Sequence, residues 1–179
     1  MAWQPDPDNW RPFPQQERFL RSPAFEKLYG GAAGGAKTAA LLVWALRDVH
    51  RRGYHAILFR RTKEQLKLDL LPQAHELYPK VGGVWKGRTD SFHWESGARI
   101  QFGGLEHRLD AQRNFKGASF QRIGFDELTD FEEEQYVYMI SRARPSGVCV
   151  DVEPEIAATT NPGSVGHDWV LKRWAPFLY

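Results

Sequence analysis

The run Gly30-Gly31-Ala32-Ala33-Gly34-Gly35-Ala36-Lys37-Thr38 stands between a strand-like apolar segment, residues 25–29, and a helix-like segment, residues 37–51. From Gly31 it reads G-x-x-x-x-A-K-T, one residue away from the phosphate-cradling pattern G-x-x-x-x-G-K-[ST]. A loop that wraps backbone N–H groups around phosphate oxygens needs little Cβ bulk and tolerance of positive φ. Every residue of the run before Lys37 is Gly or Ala. Gly31, Gly34, Gly35, Ala36, Lys37 and Thr38 are therefore assigned to nucleotide binding. Lys37 offers a point charge to the β and γ phosphates, Thr38 a hydroxyl to Mg2+, and the helix beginning there points its positive end at the same anion. The departure from the pattern is Ala36. If that position takes a positive φ, alanine is strained by about 1–3 kcal/mol; if φ is negative, alanine stiffens the turn at no cost. A plain small-residue turn between strand and helix is the competing reading.

The second signal lies about ninety residues on. Residues 120–125 form a strand pattern that ends in Asp126-Glu127. An acidic pair at the carboxyl end of a buried strand meets the needs of nucleotide hydrolysis: Asp126 holds the Mg2+ water shell, and Glu127 orients and deprotonates the attacking water. Taken alone, the pair also suits a loop start or the N-cap of the following helix. A glutamate directly after the aspartate favours hydrolysis of ATP over transfer to a small acceptor.

The chain has 179 residues, 42% of them hydrophobic, enough for one domain with a full core. Its 24 basic and 22 acidic side chains nearly cancel, so nucleic acid binding is not legible in net charge. A single cysteine, Cys149, fits a reducing compartment. The amino terminus lacks the basic-then-apolar pattern of a secretion signal, and the longest apolar run is too short to cross a bilayer. The six histidines have no close cysteine partner, which argues against a zinc site. Residues 1–14 read as an amino-terminal arm and 15–179 as the nucleotide-binding domain. Helices are expected near 15–21, 37–51, 64–78, 132–141 and 165–174, the apolar stripe of the third broken at Pro72. Strands are expected near 25–29, 56–59, 121–125 and 154–160, with a hairpin at 91–95 and 98–102. Strands alternating with helices imply an α/β fold with a mainly parallel sheet flanked by helices, of the P-loop NTPase type, with the hairpin as an insertion.

The phosphate loop, then Lys116-Gly117 ahead of Phe125-Asp126-Glu127-Leu128, then Ala158-Thr159-Thr160-Asn161-Pro162, resembles in its order the large terminase subunit of tailed bacteriophages. The similarity spans about residues 12–175. It implies an ATPase of the additional-strand, catalytic-glutamate class, with ATP and Mg2+ as cofactors, that drives double-stranded viral DNA into a procapsid. The implied partners are the portal protein of the capsid, the small terminase subunit and further copies of the chain in a ring, a pentamer, in the host cytoplasm and away from any membrane. It places the strand ending at Thr160 between the phosphate-loop strand and the Asp126 strand, with Thr159, Thr160 and Asn161 toward the γ-phosphate. It further makes Gln15 or Gln16 the reader of the adenine edge, with Phe19 or Tyr29 against the base. Arg60 and Arg61 fall where related enzymes touch nucleic acid, or are surface charges.

Family members also carry a nuclease domain. No acidic cluster is left over for one here, so DNA cleavage is not expected from this chain. No arginine lies within the phosphate loop, so an arginine from a ring neighbour is expected to complete the site. The catalytic set is thus Lys37 and Glu127 with Arg113 or Arg142 as that arginine; Lys116 and Arg144 are the further possibilities. Two other functions stay open: a helicase or recombination-type DNA-dependent ATPase, and a nucleotide-binding module with little turnover.

Overall fold

The computed structural model describes residues 11–31, 36–145 and 147–177. Gly34 and Gly35, and most of the expected amino-terminal arm, lie outside the described residues. The strands are β1 (Glu26–Gly30), β2 (His55–Arg60), β3 (Val84–Lys86), β4 (Ser91–His93), β5 (Arg99–Gly104), β6 (Arg122–Phe125) and β7 (Glu155–Thr160). They make one sheet in the order β1-β7-β6-β2-β5-β4-β3, parallel from β1 to β5 and antiparallel beyond. The helices are α1 (Pro14–Arg21), α2 (Lys37–Leu46), α3 (Lys63–Gln65), α4 (Leu71–Leu77), α5 (Asp110–Phe115), α6 (Glu133–Ile140) and α7 (His167–Trp174). The strand ending at Thr160 lies between the phosphate-loop strand and the Asp126 strand, as expected. The hairpin forms as β4 and β5, and because β5 also pairs with β2 it lengthens the sheet.

Strands covered on both faces read as continuous apolar runs, and the period of two sorts their side chains. In β2, Ala56 and Leu58 enter one core with Leu41, Trp44, Ile100 and Phe102, while Ile57 and Phe59 enter the other with Phe125, Phe131 and Tyr136. Gly124 in β6 is required by close packing: a Cβ there would stand 2.3 Å from Leu58 Cδ2 and 3.2 Å from Leu41 Cδ1. Its absence lets α2 settle onto the sheet, so the near all-round apolar surface of α2 is buried.

One expected boundary is corrected, and further local features are added. The helix expected to reach residue 51 ends at Leu46 and continues in turns, with Val49 N–H donating to the Leu46 carbonyl. Pro72 lies at the start of α4, inside the helical path expected over 64–78. The path from α3 to α4 runs through a widened turn at Leu66–Leu70, where Leu71 N–H donates to the Leu66 carbonyl. That i→i+5 register shifts the bonding just ahead of a residue with no N–H to give. Strand β3 and helix α5 were not foreseen, each being too short to carry a period.

At the amino ends of the central strands Glu155, only 7% exposed, is ringed by cations. Lys27 Nζ is 2.7 Å and Arg122 Nη1 2.8 Å from Glu155 Oε2, and Arg47 Nη2 donates to Oε1. Trp44 Nε1 adds a hydrogen bond at 3.1 Å, and Arg122 also pairs with Asp48. Burial opposes the charge of Glu155, but the guanidinium of Arg122, with Lys27 and Arg47, outweighs it and holds the carboxyl at about 2. A carboxyl held below its ordinary 4.5 adds stability that is complete above that pH and fades as pH falls toward 2. Glu155→Gln leaves Lys27 without a carboxylate and Arg47 and Arg122 with Asp48 alone, and should cost about 3 kcal/mol by urea unfolding at neutral pH. The gap from wild type should narrow as pH falls below 4.5. A pH-independent gap would show that the carboxylate charge is not what holds this cluster.

Candidate functional site

The sheet brings the sequence signals together because β1, β7 and β6 are parallel neighbours. Leu28 and Phe125 both stand opposite Ala158, so the residues after these strands emerge at one edge. Lys37 at the head of α2 donates from Nζ to Asn161 Oδ1 at 2.8 Å and to the Gly31 carbonyl at 3.1 Å. Asn161 in turn donates from Nδ2 to Glu127 Oε1 at 2.7 Å and from its backbone N–H to Oε2 at 3.2 Å. A continuous chain of hydrogen bonds therefore joins the loop lysine to the glutamate.

Asp126 is fully buried. Thr38 Oγ1 donates to its Oδ1 at 3.0 Å, and Thr159 Oγ1 donates to the same oxygen at 2.7 Å. Burial pushes the Asp126 carboxyl above its ordinary range, against the pull of Arg60 and the two threonines. Burial also raises Glu127, and the neighbouring Asp126 charge adds to it. Glu127 has φ 58°, a left-handed conformation that is costly for a residue with a Cβ. It is held there from both sides, by its N–H donating to Thr159 Oγ1 at 3.0 Å and by the Asn161 clamp on its carboxylate. Thr160 is hydrogen-bonded to Thr129 and Asn161. Its hydroxyl lies 3.1 Å from the Asn161 carbonyl, which also accepts from Thr129 Oγ1 at 3.0 Å.

Ala36 answers the question posed by its sequence: its φ is 47° and its ψ 36°, so it occupies the left-handed position at the N-cap of α2. Its carbonyl accepts a 2.9 Å hydrogen bond from Gln16 Nε2, while Gln16 Oε1 accepts from Phe13 N–H at 2.8 Å. Gln16 is 1% exposed and spends both ends of its amide tying α1 to the loop. Gln15 is exposed and lines a cleft of about 1160 Å3 between α1, β1 and α7. Gly31, Thr160 and Asn161 form the inner end of that cleft, and Val170, Leu171 and Trp174 its apolar wall. Phe19 and Tyr29 also line it, stacked on each other at 5.6 Å.

The two arginines expected from a neighbour are not drawn to these groups within the chain. Arg113 is exposed on α5. Arg142 lies by the amino end of β6, where its carbonyl accepts from Phe120 N–H, its Nε donates to Ser141 Oγ, and its guanidinium covers the Tyr138 ring at 5.2 Å. The arginine that does enter the site is Arg60, read from sequence as a nucleic-acid contact or a surface charge. Its side chain is 12% exposed, with Nε 3.3 Å from Asp126 Oδ2. Arg61 turns instead to Gln135 and Glu132. The signal for Arg60 was its place at the end of the strand beside β6, which required the strand order to be seen.

Hard oxygen donors, one buried carboxylate and one hydroxyl, fit a magnesium ion that draws its other ligands from phosphate and water. No cluster of three or more His, Cys, Asp or Glu side chains suited to a protein-only cage occurs among the described residues.

Among solved structures, the large terminase of the thermophilic bacteriophage D6E aligns with a TM-score of 0.63 at 15% identity, covering 91% of this chain and 43% of that one. The HK97 bacteriophage large terminase gives 0.66 at 9% identity, covering 94% and 37%. The N-terminal domain of the DNA packaging ATPase from bacteriophage phi29 gives 0.59 at 16%, covering 88% and 84%. At such identities the likeness is one of fold, and the chain spans less than half the length of the D6E and HK97 terminases. No curated protein matches the sequence. The family described as "Terminase large subunit, T4likevirus-type, N-terminal" matches residues 28–175, nearly all of the described chain, so the protein belongs to the terminase large subunits and carries their N-terminal region.

Proposed function

We propose that the chain is a Mg2+-dependent, ATP-hydrolysing motor domain that couples turnover to movement of double-stranded viral DNA into a procapsid. The observation that carries this reading is the chain of hydrogen bonds from Lys37 through Asn161 to Glu127, beside the buried Asp126–Thr38 pair. A plain turn needs neither a buried lysine nor a strained glutamate. The D6E large terminase is known in complexes with ADP and with ATP-gamma-S, which supports a nucleotide in the equivalent place here.

In this reading the phosphates lie against the loop, with Lys37 turning from Asn161 toward a phosphate oxygen. Asp126 and Thr38 would hold magnesium, which supplies positive charge against the phosphate oxygens. Glu127 orients the attacking water and accepts its proton; the raised basicity conferred by burial and by Asp126 suits it to that task. Asn161, released by Lys37, keeps Glu127 aimed and passes phosphate occupancy to the segment before α7. In the same reading Gln15 and Tyr29, which line the cleft, would meet the base, whereas Gln16 is engaged with the Ala36 carbonyl. The portal protein, the small terminase subunit and a pentameric ring of like chains in the host cytoplasm complete the proposed machine. Arg113 or Arg142 would then act on a neighbour's site.

Lys37→Ala should abolish binding of ATP measured by calorimetry. Glu127→Gln should retain binding while phosphate release falls by about 10²-fold or more. Equal binding and turnover in wild type and Lys37→Ala would remove the phosphate-loop assignment.

The acid limb of the kcat/KM profile, which reports the free enzyme, should lie above the ordinary carboxyl value of 4.5, because Glu127 must be ionised and burial, with the Asp126 charge, raises its pKa. A limb at or below that value would take the proton-accepting role from Glu127.

Ala36→Gly should stabilise the domain by up to about 1 kcal/mol in urea, since glycine occupies the left-handed region without the Cβ penalty. A loss of stability would show that Ala36 is not strained.

A further inference from the structure

Arg60 has no part in the hydrolysis just described, yet its surroundings are built with care. It stands at the carboxyl end of β2 directly beside Asp126, because β2 and β6 run parallel with Phe59 opposite Phe125. Its guanidinium is shared among three carboxylates. Nε lies 3.3 Å from Asp126 Oδ2, Nη2 3.2 Å from Asp69 Oδ2, and Nη1 3.9 Å from Asp130 Oδ2.

These contacts differ in kind. Nη2 donates a hydrogen bond to Asp69, whereas the buried Nε makes no hydrogen bond, so Asp126 is attracted by charge alone. A contact without a directed bond is the one a competing cation displaces most readily. Asp126 Oδ1 accepts the shorter hydrogen bonds, from Thr38 and Thr159, so Oδ2 is the oxygen at which Arg60 and a divalent cation would compete. Like charges cannot share that oxygen cheaply at such distances.

The other anchor is not ordinary helix. Asp69 belongs to the widened turn Leu66–Leu70, and its Oδ1 accepts from Gln73 Nε2 at 2.8 Å in α4. Turns of this kind sit inside helices at an energetic disadvantage and are frequent at functional sites. The same turn exposes Leu68 to 81% at the surface. A change in how firmly Arg60 grips Asp69 therefore acts on a segment whose bonding departs from the α register and which has an apolar side chain on display.

We infer that Arg60 is a positioning residue that couples the cation state of Asp126 to the widened turn carrying Asp69: it divides itself between the two carboxylates, and turns wholly to Asp69 when a divalent cation takes Asp126 Oδ2. The inference rests on the magnesium reading of Asp126. It reassigns an arginine that, at 12% exposure and with three carboxylates around it, is not presented to a DNA backbone.

The test titrates Mg2+ into the protein with fluorescent mant-ADP, in wild type, Arg60→Gln, Asp69→Asn and the double variant. Mant-ADP affinity in EDTA reports the phosphate loop by itself and should be alike in all four. The Mg2+ midpoint should fall by about fivefold or more in Arg60→Gln and rise by a similar factor in Asp69→Asn, the usual scale of coupling between linked sites. In the Arg60→Gln background Asp69→Asn should have no effect. Hydrogen exchange at residues 66–70 should respond to Mg2+ added to the ADP complex in wild type and not in Arg60→Gln. An unshifted midpoint in Arg60→Gln, an equal effect of Asp69→Asn in both backgrounds, or the same exchange response in both proteins would overturn the coupling. Absence of mant-ADP binding in wild type would instead contradict the phosphate-loop reading, and the coupling with it. Should Arg60→Gln fail to fold, Arg60→Lys keeps the charge but cannot bridge two carboxylates, and Asp69→Asn must again lose its effect in that background.

Discussion

Everything at the carboxyl edge of this sheet depends on placing one carboxylate, Asp126, completely out of water. A buried charge must be met by donors or by opposite charge, and the fold supplies them from three other elements. Thr38 comes from α2, Thr159 from β7 and Arg60 from β2. Those three can reach Asp126 only because β7, β6 and β2 are consecutive parallel neighbours and α2 follows the strand on the far side of β7. The strand order and the chemistry are the same constraint seen twice.

The two ends of the sheet handle buried acid in opposite ways. At the amino end Glu155 meets Lys27, Arg47 and Arg122, and is held far into its ionised form. At the carboxyl end Asp126 and Glu127 lie close together with Lys37 turned to Asn161 and Arg60 divided among three carboxylates, and both carboxyls are pushed upward. The first arrangement is closed: Glu155 and Asp48 are both met by cations inside the cluster, so losing either carboxylate charge costs stability. The second is short of positive charge and accordingly suited to accept more. That asymmetry, together with a glutamate kept in a left-handed backbone conformation by Thr159 and Asn161, separates a structural cluster from a reactive one.

The sequence was most informative where chemistry demands particular residue types in a fixed order. Lys37-Thr38 and Asp126-Glu127 were legible because each follows a strand pattern, and strand ends follow from apolar runs bounded by glycine or polar residues, whereas Thr159-Thr160-Asn161 entered through the resemblance to the terminase large subunits. The place of Arg60 beside Asp126 was not legible because its partner lies one strand away laterally, and adjacency of strands far apart in sequence leaves no local trace. The two adjacent glutamines could not be told apart until the helix phase placed Gln16 inward against the Ala36 carbonyl and Gln15 outward at the cleft. Just past the early end of α2, Arg47 and Asp48 join the cluster around Glu155 and Arg122, whose members lie 108 and 74 positions away in sequence. Helix continuity through Pro72 needed the widened turn before it, which no propensity argument supplies.

The most direct measurement is a crystal structure of the protein with ATP-gamma-S and Mg2+. The account predicts the phosphates against Gly31, Lys37 and Thr38, with Lys37 Nζ moved from Asn161 Oδ1 to a phosphate oxygen, and Asn161 still bonded to Glu127. A nucleotide bound elsewhere, or phosphates in the loop with the Lys37–Asn161 bond intact, would contradict it.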